Sequence, residues 1–225
     1  MQSVYLSFIK IVSYLVILFS PVNILGMNDF MLFFKLGLTH VLDFKAYDHI
    51  LFLLVLVVPY STKQWKELLW LVSIFTIGHT LTLTLAAYKF LDVNSGIIEF
   101  LIPFTIFVTA LINIFLGTKS NAGVKIKMLL TFCFGWVHGL GFSYYLQMLL
   151  ADSDEKFLPL VEFSLGIEGA QIIIALVVLL VFGFFNMIFK VSKRDWIIVL
   201  SAIVVGIVIP MMGDRVDAFL KVLAA

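Results

Sequence analysis

Charged residues are scarce in this chain. Lysine, arginine, aspartate and glutamate together make up 13% of its 225 residues, whereas 62% of the residues are hydrophobic. Soluble globular domains carry about 25% charged and about 45–50% apolar residues, so the composition excludes an ordinary soluble domain. The apolar runs are long and continuous. They predict an integral membrane protein built from helices of about 20 residues and not from the shorter alternating strands of an outer-membrane barrel.

Cysteines and clusters of basic residues are also nearly absent. The single cysteine, Cys133, lies within an apolar segment, which excludes a disulfide framework and a CxxC metal site. The formal net charge is +1 and no basic run occurs. The sequence therefore has no electrostatic footprint for nucleic acid, and we expect no nucleic-acid partner. The expected surroundings of the chain are a lipid bilayer.

The apolar runs predict an all-α fold, a polytopic membrane helix bundle with about seven transmembrane helices plus one interfacial or half-helix. Residues 1–26 are expected to form a first transmembrane helix or a signal peptide, and a retained helix is favoured because no clear cleavage site is visible. Residues 27–225 are expected to form a single integral membrane domain. Within it, residues 27–45 are too polar to cross the bilayer and predict the half-helix. The remaining predicted spans are 46–60, 65–88, 96–117, 124–151, 158–189 and 195–212.

Lysine and arginine collect in alternate connections of this arrangement. Residues 61–66, 118–127 and 190–194 hold most of the positive charge, whereas the other connections are acidic or balanced. The positive-inside rule then places the basic connections in the cytoplasm. We therefore expect the N-terminus inside and the C-terminus outside.

All four histidines lie in apolar stretches, together with several carboxylates. The stretches read LGLTHVLDFKAYDHILFLL, FTIGHTLTL and FGWVHGLGF, and a glutamate follows in SLGIEGAQ. An ionisable side chain within a span is costly, so it indicates a functional site. At about 1.5 Å of rise per residue, these side chains have overlapping depths in the outer half of the membrane. The predicted metal ligands are His40, Asp48, His49, His79, His138 and Glu168.

Imidazole and carboxylate donors together suit nickel, cobalt, zinc or copper, whereas magnesium and calcium prefer oxygen ligands. The glycines around His138 predict close helix packing. The 23 phenylalanines are spread over all segments and are interpreted as lipid-facing and core side chains. The stretches before His79 and His138 share a Phe-x3-His pattern on two spans predicted to run in the same direction. The residues expected to support the site or line an ion pathway are Asp43, Thr76, Thr80 and Gln171.

These motifs resemble the HupE/UreJ family of bacterial membrane proteins, in particular its second branch. The resemblance runs from about residue 36 to residue 180. It implies a nickel permease of the bacterial inner membrane, with a first motif of one histidine followed by an Asp-His pair, matched here by His40, Asp48 and His49. The permeases carry a glutamate shortly after a later His-Gly pair. Here Leu140 and Gly141 follow that pair, and Glu168 is the candidate substitute.

Three functions follow from these residues. The first is a metal-ion permease, for nickel or alternatively cobalt or zinc, in which the ion is captured by His40, Asp48 and His49 and passes to a deeper site at His79, His138 and Glu168. The second is a membrane-embedded zinc hydrolase acting on a lipid or lipid-linked substrate. Its zinc ligands would be His49, His79 and His138, and its general base would be Asp48 or Glu168. The third is a membrane scaffold whose histidines only bond one another. Each is compatible with a homo-oligomer.

Overall fold

A computed structural model describes residues 29–44, 47–91, 93–117, 124–151 and 155–224. The prediction for residues 1–26 lies outside these ranges. The described part is all-α, with seven helices and one short 3-10 turn. In chain order the helices are α1 (Asp29–Leu42), α2 (Asp48–Val57), α3 (Trp65–Ala87), α4 (Ser95–Leu116), α5 (Val124–Leu149), α6 (Phe157–Phe189) and α7 (Lys193–Leu223).

Among the described residues, four segments are long and apolar enough to cross a membrane, namely α3 with the 3-10 turn before it, α4, α6 and α7. Helix α5 has 26 residues, but its glycines, its histidine and its tryptophan make it less apolar. Helices α1 and α2 are shorter, with 14 and 10 residues. At about 1.5 Å per residue, α2 is only about 15 Å long, so the helical part of the span predicted for residues 46–60 is too short to cross the bilayer alone.

Glycines allow two pairs of helices to cross with their backbones in contact. A Cβ atom on Gly37 of α1 would collide with the carbonyl of Phe163 in α6, and one on Gly166 of α6 would collide with the carbonyl of Phe34 in α1. Helix α1 is thus held along the N-terminal part of α6. The described part of the segment predicted as an interfacial or half-helix is a short helix, and its contact with α6 shields part of its backbone.

Helices α3 and α5 cross in the same way. A Cβ atom on Gly78 would meet the carbonyl of Phe132, and one on Gly135 would meet the carbonyl of Phe75. Gly135 lies against Phe75 and Gly139 lies against His79 further along both helices. Helices α3 and α5 therefore run in the same direction, as the predicted order of spans requires. The close packing predicted for the glycines near His138 is confirmed at Gly135 and Gly139.

Helix α2 lies at the centre of the bundle. Seven of its ten residues are buried, and it touches α1, α4, α6 and α7. The amide of Asn113 in α4 donates to the carbonyl of Val55 at 2.6 Å, which satisfies one of the last carbonyls of α2. A short helix with an apolar surface on all sides is stable only when surrounded by other helices.

The ends of the helices define two ends of the bundle. At one end, the ammonium group of Lys193 donates to the carbonyl of Tyr60, which joins the start of α7 to the connection between α2 and α3. At the other end, Lys156 donates to the carbonyl of Ala87 and Arg215 to that of Glu99. The first end, called here the basic end, carries Lys63, Lys66, Lys127, Lys190, Lys193 and Arg194.

Candidate metal centre

Four helices each bring one histidine to the same place. His40 lies in the last turn of α1, His49 is the second residue of α2, His79 lies in α3 and His138 in α5. The crossing of α1 with α6 sets the position of the first, and the crossing of α3 with α5 sets the last two. His49 is central, because its ring centroid lies 4.6 Å from that of His40, 5.9 Å from that of His79 and 5.4 Å from that of His138.

Three of these histidines have a geometry that fits a metal ion. His40, His49 and His79 each offer a ring nitrogen, and the three nitrogens lie within 4.8 Å of one another. A metal held by imidazole nitrogens at about 2.0–2.1 Å in tetrahedral geometry sets the ring centroids about 5 Å apart. The observed centroid distances of 4.6, 5.9 and 6.0 Å differ from this value by about 1 Å or less. We call these three residues the histidine triad.

The imidazoles have no hydrogen-bond partner for several of their nitrogens among the described residues. His79 is fully buried and both of its ring nitrogens are unpartnered, as are the Nε2 atoms of His40, His49 and His138. A buried polar atom without a partner costs about 1–3 kcal/mol. Five such atoms in one cluster are therefore expensive, and a cation that accepts their lone pairs would remove much of this cost.

Two hydrogen bonds fix which nitrogen carries the lone pair. The Nδ1 atom of His138 lies 2.9 Å from the carbonyl oxygen of Phe134. A carbonyl only accepts, so Nδ1 must donate, and Nε2 of the neutral ring is left with the lone pair. The Nδ1 atom of His49 lies 3.2 Å from Oδ1 of Asp48. Asp48 thus orients His49 in the way that a carboxylate commonly orients a metal-binding histidine.

Phenylalanines form the apolar wall around the imidazoles. Phe142 and Phe163 lie 4.0 and 5.7 Å from His40 by ring centroid, and Phe52 and Phe75 lie 5.1 and 5.3 Å from His138. The even spread of phenylalanines along the sequence predicts only packing or lipid contact for them. The spacing held a signal, because three of the four lie three or four residues from a histidine on the same helix. Phe163 has no such signal, since α6 carries no histidine.

The other predicted site residues lie outside the histidine triad. The carboxylate of Glu168 accepts from the hydroxyl of Ser73 at 2.5 Å, between α6 and α3. The hydroxyl of Thr76 donates to Gln171 at 2.9 Å, and that of Thr80 donates to Ser164 at 2.7 Å. These bonds form a row of polar contacts between α3 and α6. Asp43 is exposed just after α1.

The capture site and the deeper site predicted for the ion are thus not separate groups of histidines in the structure. His40 and His49 were expected to capture the ion, and His79 was expected to belong to a deeper site. The structure places all three in one group, with His138 beside His49. The spacing of histidines along the chain does not distinguish one cluster from two, because α1 and α2 are short and their relative positions depend on contacts with other helices.

Comparison with known proteins identifies the family. A family model described as HupE / UreJ protein matches residues 21–212. No curated protein matches the chain, and no solved structure does. Since the matched region covers most of the sequence and includes all four histidines and Glu168, the chain belongs to the HupE/UreJ family of multi-pass membrane proteins.

Proposed function

We propose that this protein is a permease for a divalent transition metal ion, nickel in the first instance and cobalt or zinc as alternatives. The observation that carries the proposal is the histidine triad, in which three ligand nitrogens from three helices lie within 4.8 Å of one another. Imidazole donors suit these metals better than magnesium or calcium. The family association with nickel and cobalt uptake supports the same cargo.

The ligand set also suits release of the ion. A permease must bind its ion strongly enough to admit it and weakly enough to let it go. The triad supplies neutral imidazoles, and the nearest carboxylate, Asp48, bonds His49 instead of belonging to the triad. One indirect negative charge binds a divalent cation less tightly than direct carboxylate ligands would. His138, beside His49, offers a further lone pair to an ion that moves within the cluster.

The hydrolase alternative is less well supported. It requires a carboxylate that acts as a general base on a metal-bound water. Of the two carboxylates proposed for this role, Asp48 is hydrogen-bonded to His49 and Glu168 to Ser73. The scaffold alternative requires histidines that bond one another, and their Nε2 atoms have no such partner among the described residues.

Metal accumulation tests the proposal. His79→Ala removes the most deeply buried ligand, and we expect it to abolish nickel accumulation in cells and stoichiometric nickel binding by the purified protein. The loss of affinity should exceed the roughly 10–100-fold that follows from removing a residue that only orients a ligand. His138→Ala is expected to lower accumulation as well.

The matched control is Ser201→Ala, which removes another fully buried polar group from α7, a helix that carries no histidine. It should accumulate nickel as the unmodified protein does. Full accumulation by both histidine variants, with normal protein levels in the membrane, would rule out the permease. One zinc ion per chain that stays bound through purification in the presence of chelator, with no metal flux in liposomes, would favour the hydrolase.

A further inference from the structure

Three phenylalanines form a layer directly beneath the histidines. Each lies one helical turn from the histidine of its own helix, always on the side of the basic end, because α3 and α5 run away from that end and α2 runs toward it. The ring of Phe52 stacks on that of Phe75 with centroids 4.9 Å apart and meets that of Phe134 edge-on at 5.9 Å. Phe52 and Phe75 are completely buried. We call these three residues the phenyl layer.

A cavity of about 200 Å³ lies on the other side of this layer. Its walls come from α2, α3, α4 and α5, and Phe134 belongs both to the layer and to the cavity lining. Leu71 and Leu130 in the wall lie one further turn along α3 and α5 toward the basic end. The order along the bundle is therefore imidazoles, phenyl rings and cavity. We call this cavity the vestibule.

The vestibule is mainly apolar but carries polar groups that suit a cation in transit. Helices α2 and α4 both end in its wall, and the last carbonyls of a helix carry a partial negative charge. The hydroxyls of Thr109 and Thr131 also line it. One lining group acts in the opposite sense, because the ammonium group of Lys127 repels a cation. It stands where α5 begins, 5.6 Å from the ring of Tyr60.

Building on the permease proposed above, we propose that the phenyl layer is a gate and that the vestibule is the compartment into which the ion passes when it leaves the histidines. Close-packed phenyl rings supply no ligand to a cation and exclude the water that would hydrate it. Hydrophobic constrictions of this kind gate channels by dewetting. The gate is closed in this structure, since the rings are in contact and Phe52 and Phe75 are inaccessible.

Removing one ring tests the gate. We expect Phe134→Ala, reconstituted in liposomes that contain a fluorescent nickel chelator, to raise the initial rate of nickel entry at least about threefold, equivalent to a barrier lower by about 0.6 kcal/mol. Nickel binding at equilibrium should stay close to one ion per chain, because the ligands remain. Phe134→Leu keeps more of the packing and should give a smaller rise. Phe115→Ala on α4, where the side chain is 79% exposed, is the matched control and should leave the rate unchanged.

Thiol labelling tests the vestibule without relying on transport. Thr109 and Thr105 lie one turn apart on α4, and of the two only Thr109 lines the vestibule. With Cys133 replaced by serine, Thr109→Cys should react with a membrane-impermeant thiol reagent applied from the basic end, whereas Thr105→Cys should not. The contrary result is that Thr109→Cys is protected from the reagent in a lipid bilayer and reacts in detergent. That result would mean that an acyl chain fills the cavity, and it would overturn the proposal.

The outcomes separate the gate from the permease. Suppose that the unmodified protein transports nickel, and that Phe134→Ala and Phe134→Leu bind nickel normally but do not increase the flux. This result overturns the gate and leaves the permease intact. Absence of flux through every variant, including the unmodified protein, overturns both. A rise in flux for Phe134→Ala together with labelling of Thr109→Cys is the result that supports the gate.

Discussion

Asp48 contacts the proposed metal site through His49. Its Oδ1 atom accepts hydrogen bonds from the backbone N–H of His49 at 2.9 Å and from the Nδ1 atom of the same ring at 3.2 Å. These bonds hold the ring of His49 so that its Nε2 atom faces the other two members of the triad. The carboxylate also places a negative charge in contact with a histidine of the cluster.

We therefore expect Asp48→Asn to weaken nickel binding by about 10–100-fold, the usual effect of altering a residue that orients a metal ligand. The amide can still accept one hydrogen bond, so folding should be preserved, but the negative charge is lost. Isothermal titration with nickel measures the change. Asp214→Asn, at an exposed carboxylate on α7, is the control and should bind normally. An affinity for Asp48→Asn equal to that of the control would contradict this role.

At the level of residues, the sequence predicted that histidines from distant stretches come together, but it did not show which other residues join them. Four imidazoles at overlapping depth are costly in lipid unless they share a partner, and this argument correctly brought His40, His49 and His79 together. The depth of a residue in the membrane does not show in which direction its side chain points around the helix axis. Glu168 lies at a suitable depth, but its carboxylate contacts Ser73. The contribution of Phe163 depends on the crossing of α1 with α6, which no local pattern reveals.

At the level of helices, glycines determine how close the histidines come. His79 and His138 lie one and three residues after glycines whose missing side chains let the backbones of α3 and α5 touch, namely Gly78 and Gly135. Gly139, next to His138, sits against the carbonyl of His79. A methyl group at any of these positions must push the two helices apart, and the imidazoles would move with them.

Gly135→Ala is expected to lower the free energy of unfolding by about 1–3 kcal/mol, the typical cost of overpacking, and to weaken nickel binding. Gly183→Ala is the matched control, because nothing lies within 4 Å of the added methyl group. Alanine is favoured over glycine within a helix by up to about 1 kcal/mol, so this control should be as stable as the unmodified protein or more so. Thermal unfolding in detergent, followed by helix content, distinguishes the two variants. Equal melting temperatures would contradict the close crossing.

Helix lengths were harder to predict than helix positions. The apolar run after Asp48 continues to Tyr60, so the sequence indicated a span, but the helix ends at Val57. Its end coincides with Pro59, which has no N–H to donate to the carbonyl of Val55. The amide of Asn113 donates to that carbonyl instead. The polar residues of α1 correctly indicated a helix too short to cross a bilayer alone. The glycine pair that holds α1 against α6, Gly37 and Gly166, lies 129 residues apart in the sequence and gives no local signal.

At the level of the whole molecule, charge distinguishes the two ends of the bundle. The lysines and arginines named above for the basic end stand there with the carboxylates Glu67 and Asp195. The other end carries Lys89, Lys156, Arg215 and Lys221, together with the carboxylates Glu99, Glu155, Asp214 and Asp217. Since lysine and arginine counts set orientation, we expect the basic end in the cytoplasm.

This orientation decides the direction of transport. With the basic end inside, the histidines lie nearer the outer surface, and the phenyl layer and the vestibule lie between them and the cytoplasm. An ion that reaches the histidines from outside would then leave inward through the gate. The opposite orientation would make the same structure an exporter, so the direction follows from one topological measurement.

Single cysteines at the two ends supply that measurement. In a chain with Cys133 replaced by serine, we expect Phe90→Cys to react with an impermeant thiol reagent in intact spheroplasts, because Phe90 is 77% exposed just beyond the end of α3. Lys63→Cys, in the exposed turn before α3, should react only in inverted vesicles. Labelling of Lys63→Cys in spheroplasts, with Phe90→Cys protected, would reverse the orientation. The phenyl layer would then face outward, and the ion would have to enter from the cytoplasm.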